Sequence, residues 1–321
     1  MERASDQSLQ DAASDPDTNV WDLADRRFLW NYNIATDFVR LGLTSWLTPV
    51  VDGFIYTGAN VLNGMKFTYT LISRREWLRT GARYLTRGVD VMGNVANFVE
   101  TEQIVCYDGN VCSWTQTRGS IPVLWQQLGK GLKPKPVVIE SHFTRVAFRR
   151  HFEKQIALYG PQILVSLIDQ TGGEKDVGDA YETHVRLYNN KNLRYIAFDF
   201  HEKCRNNRYE NLSLLTAQVE EQLDKYGFFL KDRLGNVLFQ QNGNVRTNCI
   251  DCLDRTNVVQ SEFARLMLKR QLRMLGLMPH SQEIHMHVAF ESMLKNGACI
   301  FYARFRSAHT TDGALWLAVT N

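Results

Sequence analysis

The chain has 321 residues, of which 44% are hydrophobic and 11% aromatic, and its formal net charge at pH 7 is +3. This length can bury a large core, either in one big domain or in two smaller ones. The composition excludes a disordered protein. The small net charge excludes a protein that binds nucleic acid or another polyanion through its overall charge.

Cysteine content and hydropathy limit the compartment in which the protein works. The six cysteines are Cys106, Cys112, Cys204, Cys249, Cys252 and Cys299. Their spacing forms no disulfide framework and no signal-peptide pattern precedes them, so a reducing, cytoplasmic compartment is expected. No run of about 18 apolar residues is present, which predicts no membrane-spanning segment in this chain.

Positive charge is concentrated in two short segments. The first, residues 74–87, contains one acid, Glu76, and these arginines: Arg74, Arg75, Arg79, Arg83 and Arg87. The second, residues 265–273, has four basic residues and no acid. Each segment is either a solvated face or a surface that attracts an anionic lipid or substrate.

The first part of the chain is predicted to contain a tail, a helix and several strands. Residues 1–20 are polar and are expected to form a flexible tail. The segment 21–39, WDLADRRFLWNYNIATDFV, is predicted as one helix that turns four side chains towards a core: Leu23, Phe28, Leu29 and Ile34. After Pro49 the runs GFIYTGANVL, KFTYTLISRR and ANFVETEQIVCY are typical of strands separated by glycine and asparagine turns.

The second part alternates strands and helices. A connector at residues 130–136 precedes the amphipathic segment TRVAFRRHFEKQIALYG, which predicts a helix ending at Gly160. The apolar runs 162–169 and 194–201 are predicted as buried strands, each ending in polar residues, and 211–227 as a helix. This alternation predicts an α/β protein with a mixed sheet flanked by helices. Ligands of such sheets bind at the carboxyl ends of the strands.

One stretch, NVRTNCIDCLDRTNVVQ, carries an unusual density of ionisable side chains. It places five residues between Cys249 and Arg255, and Thr256 follows. A loop of this length turns its backbone N–H groups inward around an anion, and a helix begins at its far end. Arg255 can donate two N–H bonds to phosphate oxygens and lowers the pKa of the Cys249 thiol. The pattern therefore predicts a C-x5-R phosphate-binding loop between a strand and a helix, with Cys249 as the nucleophile.

The same spacing occurs a second time, between Cys112 and Arg118. That copy has no Ser or Thr after its arginine, contains the bulky Trp114, and is followed by Pro122, which opposes a helix. Cys249 is therefore preferred over Cys112 as the nucleophile.

Cys249 and Cys252 also form a C-x-x-C pair, which is compatible with zinc binding or redox chemistry. Zinc would need two further ligands, for which only the segment HSQEIHMH is a faint candidate, and redox chemistry gives no reason for the Asp-Arg-Thr-Asn sequence. Cys252 is therefore expected to pack under the loop or, as the alternative, to form a disulfide with an oxidised Cys249.

The stretch RTNCIDCLDRTNVVQS resembles the signature loop of the Sac-domain (suppressor-of-actin) phosphoinositide phosphatases. Further segments along residues 21–275 are similar to family segments in the same order: ADRRFLWN, PVVDGFI, LISRR, RYLTRGVD, GNVANFVETEQIV, QTRGSIPVLWQQ, HFEKQIALYG and RYIAFDFHEKC. Together they are far more specific than the C-x5-R spacing. The segment GNVANFVETEQIV is most similar to the branch that acts on phosphatidylinositol 4-phosphate at endoplasmic reticulum and Golgi membranes.

The resemblance implies hydrolysis of an inositol-ring monophosphate, first of all phosphatidylinositol 4-phosphate and secondly the 3-phosphate, through a cysteinyl-phosphate intermediate. It implies phosphoinositide lipids on anionic membranes as partners and a peripheral location at the endoplasmic reticulum and Golgi. Family members usually have a further N-terminal β-rich subdomain. Residues 21–275 are therefore expected to form a catalytic domain that lacks most of it, and residues 276–321 a divergent segment without the membrane anchor of the related branch.

The leaving inositol oxygen needs a proton, and the loop contains two candidate donors, Asp251 and Asp254. A carboxyl beside a phosphate dianion has a raised pKa, which suits a general acid. The sequence does not orient the two side chains, so both remain candidates. Either one can instead cap the following helix or pair with Arg255.

The other residues of the loop and helix start are expected to bind phosphate: Ile250, Cys252, Leu253, Thr256 and Asn257. Thr256 is expected to donate its hydroxyl to the Cys249 sulfur, and Asn257 to shape the helix start.

Three residues outside the loop can border the pocket. Asp199 and His201 stand at the end of a predicted strand, with a buried, hydrogen-bonded histidine as the alternative, and Arg118 lies in a segment that the family shares. No metal or other cofactor is required, because arginine, amides and thiolate supply the charge stabilisation and the nucleophile.

Two other functions fit the same loop. A protein-tyrosine or dual-specificity phosphatase shares the chemistry, but such enzymes typically have histidine before the nucleophilic cysteine, where this chain has Asn248. The alternative from a different class is a catalytically impaired membrane or protein-interaction module from a truncated member of the family.

Overall fold

A computed structural model describes residues 19–129, 134–287, 290–291 and 316–318. The helices whose full bounds are described are α1 Val20–Leu23, α2 Tyr32–Arg40, α3 Phe143–Tyr159, α4 Lys175–Tyr188, α5 Phe200–Lys203, α6 Leu212–Tyr226 and α7 Asp254–Met274. The strands are β1 Val50–Leu62, β2 Met65–Arg75, β3 Val99–Tyr107, β4 Asn110–Arg118, β5 Trp125–Gln126, β6 Val137–Val138, β7 Gln162–Ser166, β8 Leu193–Ala197, β9 Phe229–Lys231, β10 Val237–Phe239, β11 Asn244–Asn248 and β12 Trp316–Ala318.

Two predicted segments fall largely outside these ranges. Only the last two residues of the predicted tail, 1–20, are described. Most of the predicted divergent segment, 276–321, also lies outside the described residues.

The described strands form one large mixed sheet and a small ribbon. The order in the large sheet is β12-β1-β2-β3-β4-β11-β7-β8, and the hairpin β9–β10 is attached through β9 to the start of β4. Pairing is antiparallel from β12 to β4 and parallel from β4 through β11 and β7 to β8. β5 and β6 form the ribbon. The predicted α/β class with a mixed sheet flanked by helices is confirmed.

The four parallel strands end at the same edge of the sheet. β11 is paired along its whole length with β7, from Asn244 opposite Gln162 to Asn248 opposite Ser166. Every residue of both strands is buried, as expected for parallel strands that are covered on both faces. The segments that leave β4, β7, β8 and β11 therefore converge at one edge, where ligands of α/β sheets bind.

Helices cover both faces of the parallel half. Ile163 and Val165 of β7 pack in the apolar cluster that includes Phe263 of α7, whereas Leu164 packs in the cluster that includes Phe148 of α3. This alternation follows the two-residue period of a strand. All five side chains are buried, which stabilises the fold by roughly 1.5–3 kcal/mol for each.

The helix predicted after the loop is confirmed as α7. Its inward-facing apolar residues are buried, namely Val259, Phe263, Leu266 and Met267. The helix ends before Gly276, whose φ of 72° lies in the left-handed region that commonly terminates helices. Among the described helices, none combines the length and the apolar character that crossing a bilayer requires.

The single helix predicted over residues 21–39 is wrong, because the chain forms two helices with an irregular segment between them. Asp25 accepts hydrogen bonds from the backbone N–H and the guanidinium of Arg27 at 3.0 and 3.1 Å, and such local bonds compete with helical ones. Leu29 pairs with the sheet through β1 and is buried as predicted, whereas Ile34 is 74% exposed.

The two predicted strands of the parallel half are shorter than their apolar runs. The run 162–169 gives a strand that ends at Ser166, and the run 194–201 gives one that ends at Ala197. In the second case Asp199 caps the short helix α5, which begins at Phe200, three residues after the end of the strand at Ala197.

Candidate active site

The C-x5-R segment connects β11 to α7. The strand ends at Asn248 and the helix begins at Asp254, so residues 249–253 form the turn at the carboxyl edge of the sheet. Cys252 lies in the left-handed region at φ 53°. Its backbone N–H donates to the Cys249 sulfur at 2.9 Å. The loop thus provides a backbone donor to its own predicted nucleophile.

The loop is anchored to the turn that follows β4. The Gly119 carbonyl accepts hydrogen bonds from the Asn248 amide at 2.5 Å and from the Cys252 thiol at 2.9 Å. A Cβ at Gly119 would lie 3.2 Å from both Phe98 Cα and Val95 Cγ2, so a side chain there would be crowded. Cys252 therefore packs under the loop and holds it to the neighbouring strand.

Burial and charge act in opposite directions on the Cys249 thiol. Burial raises the pKa, but hydrogen bonds from Cys252 and the positive charge of Arg255 outweigh it, and the pKa falls from 9.0 to about 7. For Cys252, burial and the neighbouring Cys249 both raise the pKa, well above its ordinary value. Near neutral pH a large fraction of Cys249 is therefore thiolate, whereas Cys252 remains a thiol.

Arg255 lies in the first turn of α7 and is held by groups that follow β7. Its Nη1 donates to the Leu167 carbonyl at 3.0 Å and to Glu174 Oε2 at 2.8 Å, and its Nη2 donates to Glu174 Oε1 at 2.7 Å. Asp169 Oδ1 is 3.3 Å from Nη1. Burial lowers the pKa of Arg255, but Glu174, Cys249 and Asp169 together raise it above its ordinary value. The guanidinium therefore stays charged.

Asp251 is paired with two arginines that the predicted site did not include. Arg83 Nη2 donates to Asp251 Oδ2 at 2.5 Å, and Arg87 Nη2 donates to Oδ1. Arg87 also donates to the Ile250 carbonyl at 3.2 Å and to Gln127 at 3.1 Å. Burial raises the pKa of Asp251, but the charges of Arg87 and Arg83 lower it below its ordinary range. Asp251 is therefore an ionised, fixed carboxylate.

The sequence indicated some of the remaining site residues better than others. Arg83 and Arg87 belong to the basic segment 74–87, for which substrate attraction was one of two interpretations. No sequence pattern indicated Glu174, because it lies 81 positions before Arg255 in the chain and contacts it only in the folded structure.

A cleft of about 470 Å³ lies at the edge of the sheet, beside the loop. The loop contributes Cys249, Ile250, Asp251, Leu253, Asp254 and Arg255 to its walls. Arg83, Lys135 and Glu174 add charged groups from other parts of the chain. A cleft of this size, with convergent charged groups, is typical of a site for a small ligand.

His201 lines the same cleft. Its Nδ1 lies 2.7 Å from Asp169 Oδ1, and its side chain is 63% exposed, so it is hydrogen-bonded but not buried. Asp169 thus contacts both His201 and Arg255.

Asp199 and Arg118 do not line the cleft among the described residues. Asp199 is 5% exposed and accepts hydrogen bonds from the backbone N–H groups of Glu202 at 2.9 Å and Gln170 at 2.8 Å. Arg118 is 1% exposed at the end of β4. Both residues lie inside the structure beside the site rather than at its surface.

The predicted hydrogen bond from Thr256 to the Cys249 sulfur is wrong. Thr256 is fully buried and its hydroxyl donates to the Leu253 carbonyl at 3.1 Å, as a hydroxyl within the first turn of a helix often does. The Asn257 N–H donates to the same carbonyl at 3.0 Å, which fits a role in the helix start. Phosphate binding by these residues and by Ile250, Cys252 and Leu253 stays a prediction.

The second C-x5-R spacing has a different structure. Cys112 and Arg118 both lie within β4, so the segment is an extended strand rather than a loop. Burial raises the pKa of Cys112 to about 12, which keeps it a thiol. In the described parts of the chain, no three or more His, Cys, Asp or Glu side chains come together as a group that could hold a metal ion.

The similarities of this chain to known proteins all point to one family. A family model described as the SacI homology domain matches residues 3–205. Phosphatidylinositol-3-phosphatase SAC1-B of Danio rerio is 44% identical over 275 residues, which cover 85% of this chain and 47% of the relative. Human phosphatidylinositide phosphatase SAC2 is 39% identical over 294 residues, 83% of this chain and 26% of the relative. Phosphoinositide phosphatase SAC7 of Arabidopsis thaliana is 38% identical over 277 residues, 86% of this chain and 46% of the relative.

The chain spans about half or less of the length of these curated relatives. The family model nevertheless covers well over half of the chain, from its third residue to the end of the strand and helix that follow α4. Together with the loop of Cys249 and Arg255 at the carboxyl edge of the sheet, this match shows that the chain belongs to the family defined by the SacI homology domain.

Proposed function

We propose that this protein is a phosphoric monoester hydrolase that removes a phosphate from the inositol ring of phosphoinositides. The observation that carries the proposal is the pair formed by Cys249, whose pKa is lowered to about 7, and the charged Arg255 in one cleft. Phosphatidylinositol 4-phosphate is the first proposed substrate, from the sequence resemblance. The 3-phosphate is the second, and the name of the relative SAC1-B supports it.

The proposed reaction has two steps. The Cys249 thiolate attacks phosphorus in line, the bond from phosphorus to the ring oxygen breaks, and that oxygen leaves with a proton from a general acid. Water then attacks the cysteinyl-phosphate, the S–P bond breaks, and inorganic phosphate and the thiolate are released. Arg255 and the loop N–H groups stabilise the equatorial oxygens in both steps.

Asp254 is the better of the two candidate acids. Asp251 pairs with Arg83 and Arg87, which lower its pKa and keep it ionised, whereas a general acid must carry a proton. Asp254 is exposed and lines the cleft. We expect Asp254→Asn to slow release from an inositol phosphate far more than release from an aryl phosphate, whose leaving group needs no proton. Equal effects on both substrates would argue against Asp254 as the acid.

The proposal also includes the catalytic domain, the partners and the cellular location. Residues 21–275 are proposed as the catalytic domain, since they run from the buried Trp21 to the end of α7. Phosphoinositides on anionic membrane surfaces are the proposed partners. The endoplasmic reticulum and Golgi are the proposed location, for which the sequence resemblance is the support.

The test is phosphate release from liposomes that each contain one phosphoinositide, with phosphotyrosine peptides as a parallel substrate. Cys249→Ser should abolish release, and Cys106→Ser, at a half-buried cysteine of β3 outside the cleft, should not change it. Release from peptides but not lipids would favour a protein phosphatase. A folded protein that releases phosphate from neither would favour the interaction module.

A further inference from the structure

Arg255 uses only one end of its guanidinium for the contacts that the structure describes. Nη1 and Nη2 each donate to one oxygen of the Glu174 carboxylate, at 2.8 and 2.7 Å. Nη1 also donates to the Leu167 carbonyl at 3.0 Å and lies 3.3 Å from Asp169. All of these partners come from the segment that follows β7.

The other edge of the guanidinium carries Nε–H and the second N–H of Nη2. These two donors point in parallel directions, as two phosphate oxygens require. Neither donates to any residue in the described ranges, and Arg255 lines the cleft. The Nε edge therefore remains for an oxyanion while the Nη end is occupied by Glu174.

Glu174 is itself firmly placed. It ends the short turn Gly172–Glu174 and directly precedes α4, which is anchored by the fully buried Val177 and Tyr181. The side chains of Glu174 and Arg255 are 20% and 13% exposed. A bidentate pair with so little exposure fixes both partners better than a surface ion pair does.

We propose that Glu174 is a positioning residue for phosphoryl transfer: it holds the Nη end of Arg255, so that the Nε edge is pre-arranged for the phosphate. The inference rests on the proposed function and deepens it, because it names the residue through which Arg255 acts. Without Glu174 the long arginine side chain would have to be ordered by the substrate, and part of its contribution to the transition state would be lost.

The opposite role would be a competitor, in which the Glu174 carboxylate occupies the place of the phosphate. The two roles predict opposite effects on anion binding. A positioning residue strengthens the binding of phosphate, whereas a competitor weakens it. Inorganic phosphate is therefore the probe that separates them.

The experiment compares Glu174→Gln and Glu174→Asp with the wild-type protein. Gln keeps the size of the side chain but has one oxygen where Arg255 needs two, and Asp keeps both oxygens on a shorter arm. Asp179→Asn is the matched control, since Asp179 pairs with Lys175 on the exposed face of α4, the helix that Glu174 precedes. The measurements are kcat and KM on a short-chain phosphoinositide, and the protection of Cys249 from iodoacetamide by inorganic phosphate.

We expect Glu174→Gln to lower kcat by about tenfold or more and to weaken protection by phosphate by a similar factor. Glu174→Asp should recover part of both, and Asp179→Asn should match wild type. Unchanged or stronger protection in Glu174→Gln overturns the proposal, even if its thermal stability falls. If Glu174→Gln does not fold, Glu174→Asp decides: protection equal to wild type overturns the proposal.

Protection does not depend on turnover, so the two proposals fail separately. If phosphate protects Cys249 in the wild-type protein but the protein hydrolyses no phosphoinositide, the proposed function is contradicted. The comparison of protection between the wild-type protein and the Glu174 variants would still test the role of Glu174 in phosphate binding.

Discussion

Cys249 and Cys252 lie three positions apart in one loop and are both buried, yet their pKa values move in opposite directions. Cys249 accepts an N–H bond from Cys252 and is close to the charge of Arg255, and both effects stabilise a thiolate. Cys252 donates its thiol hydrogen to the carbonyls of Gly119 and Cys249, which stabilises the thiol. The direction of the hydrogen bonds thus separates the nucleophile from the structural cysteine.

The lowered pKa of Cys249 predicts its reactivity towards iodoacetamide. The thiolate is the reactive form, so the alkylation rate should rise with pH and reach half its plateau near pH 7 instead of near pH 9. Arg255→Gln removes a positive charge and should move the midpoint up, towards that of an ordinary thiol. Mass spectrometry of the modified peptides measures both rates, with Cys106, whose pKa burial raises, as the internal reference. A wild-type midpoint above pH 8 would contradict the prediction.

Sequence spacing predicted Cys249 and Arg255 because both belong to one short loop. Their partners could not be predicted, since Arg87 reaches Asp251 across 164 positions of the chain and Glu174 reaches Arg255 across 81. Such contacts between distant parts of the chain depend on the order of the strands in the sheet. The basic segment 74–87 indicated a surface that could attract an anion, but not which of its arginines would do so. Arg83 and Arg87 lie at the site, whereas Arg74 and Arg75 pair with acids elsewhere in the sheet.

At the scale of secondary structure, the ends of elements decide where the site residues lie. The apolar runs correctly predicted strands at β7 and β8, but only β7 is buried along its whole length, whereas Ile196 is the one buried residue of β8. They did not predict where the strands end, because apolar side chains continue into the connections. Leu167, Ile168, Phe198 and Phe200 all follow a strand end and are buried in the loops and in α5. Burial alone therefore does not mark the boundary at which the cleft begins.

Substitution of Asp199 tests whether the hydrogen bonds that its side chain accepts stabilise these connections. Asp199→Ala removes the acceptor for the Glu202 and Gln170 N–H groups and should lower the free energy of unfolding by about 1–2 kcal/mol. Asp199→Asn keeps one acceptor and should fall between Ala and wild type. Urea titration measures the free energies, and initial rates should stay within about threefold of wild type, since the residue does not line the cleft. A tenfold loss of activity at unchanged stability would instead place Asp199 in the pocket.

At the scale of the whole molecule, β4 joins an antiparallel half to a parallel half. The parallel half brings the loop of Cys249, the Glu174 turn and His201 to one edge, and the antiparallel half contributes Arg83 and Arg87 from the connection between β2 and β3. The sequence predicted the long strands β1, β2 and β3 and the parallel strands β7 and β8, but not that β11 lies between β4 and β7. Strand order depends on how separate buried faces fit together, and a local pattern carries no information about that fit.

The antiparallel half contains a buried charge cluster on which global stability should depend. Arg74 Nη2 lies 2.7 Å from Glu102 Oε2 and 3.0 Å from Glu100 Oε1, and both glutamates are fully buried. Arg74→Met removes this charge, so we expect the free energy of unfolding at pH 7 to fall by about 3 kcal/mol or more. Lys66→Met, at an exposed position of the same strand, is the control in the same urea titrations. A loss below about 1 kcal/mol would show that the cluster does not need Arg74.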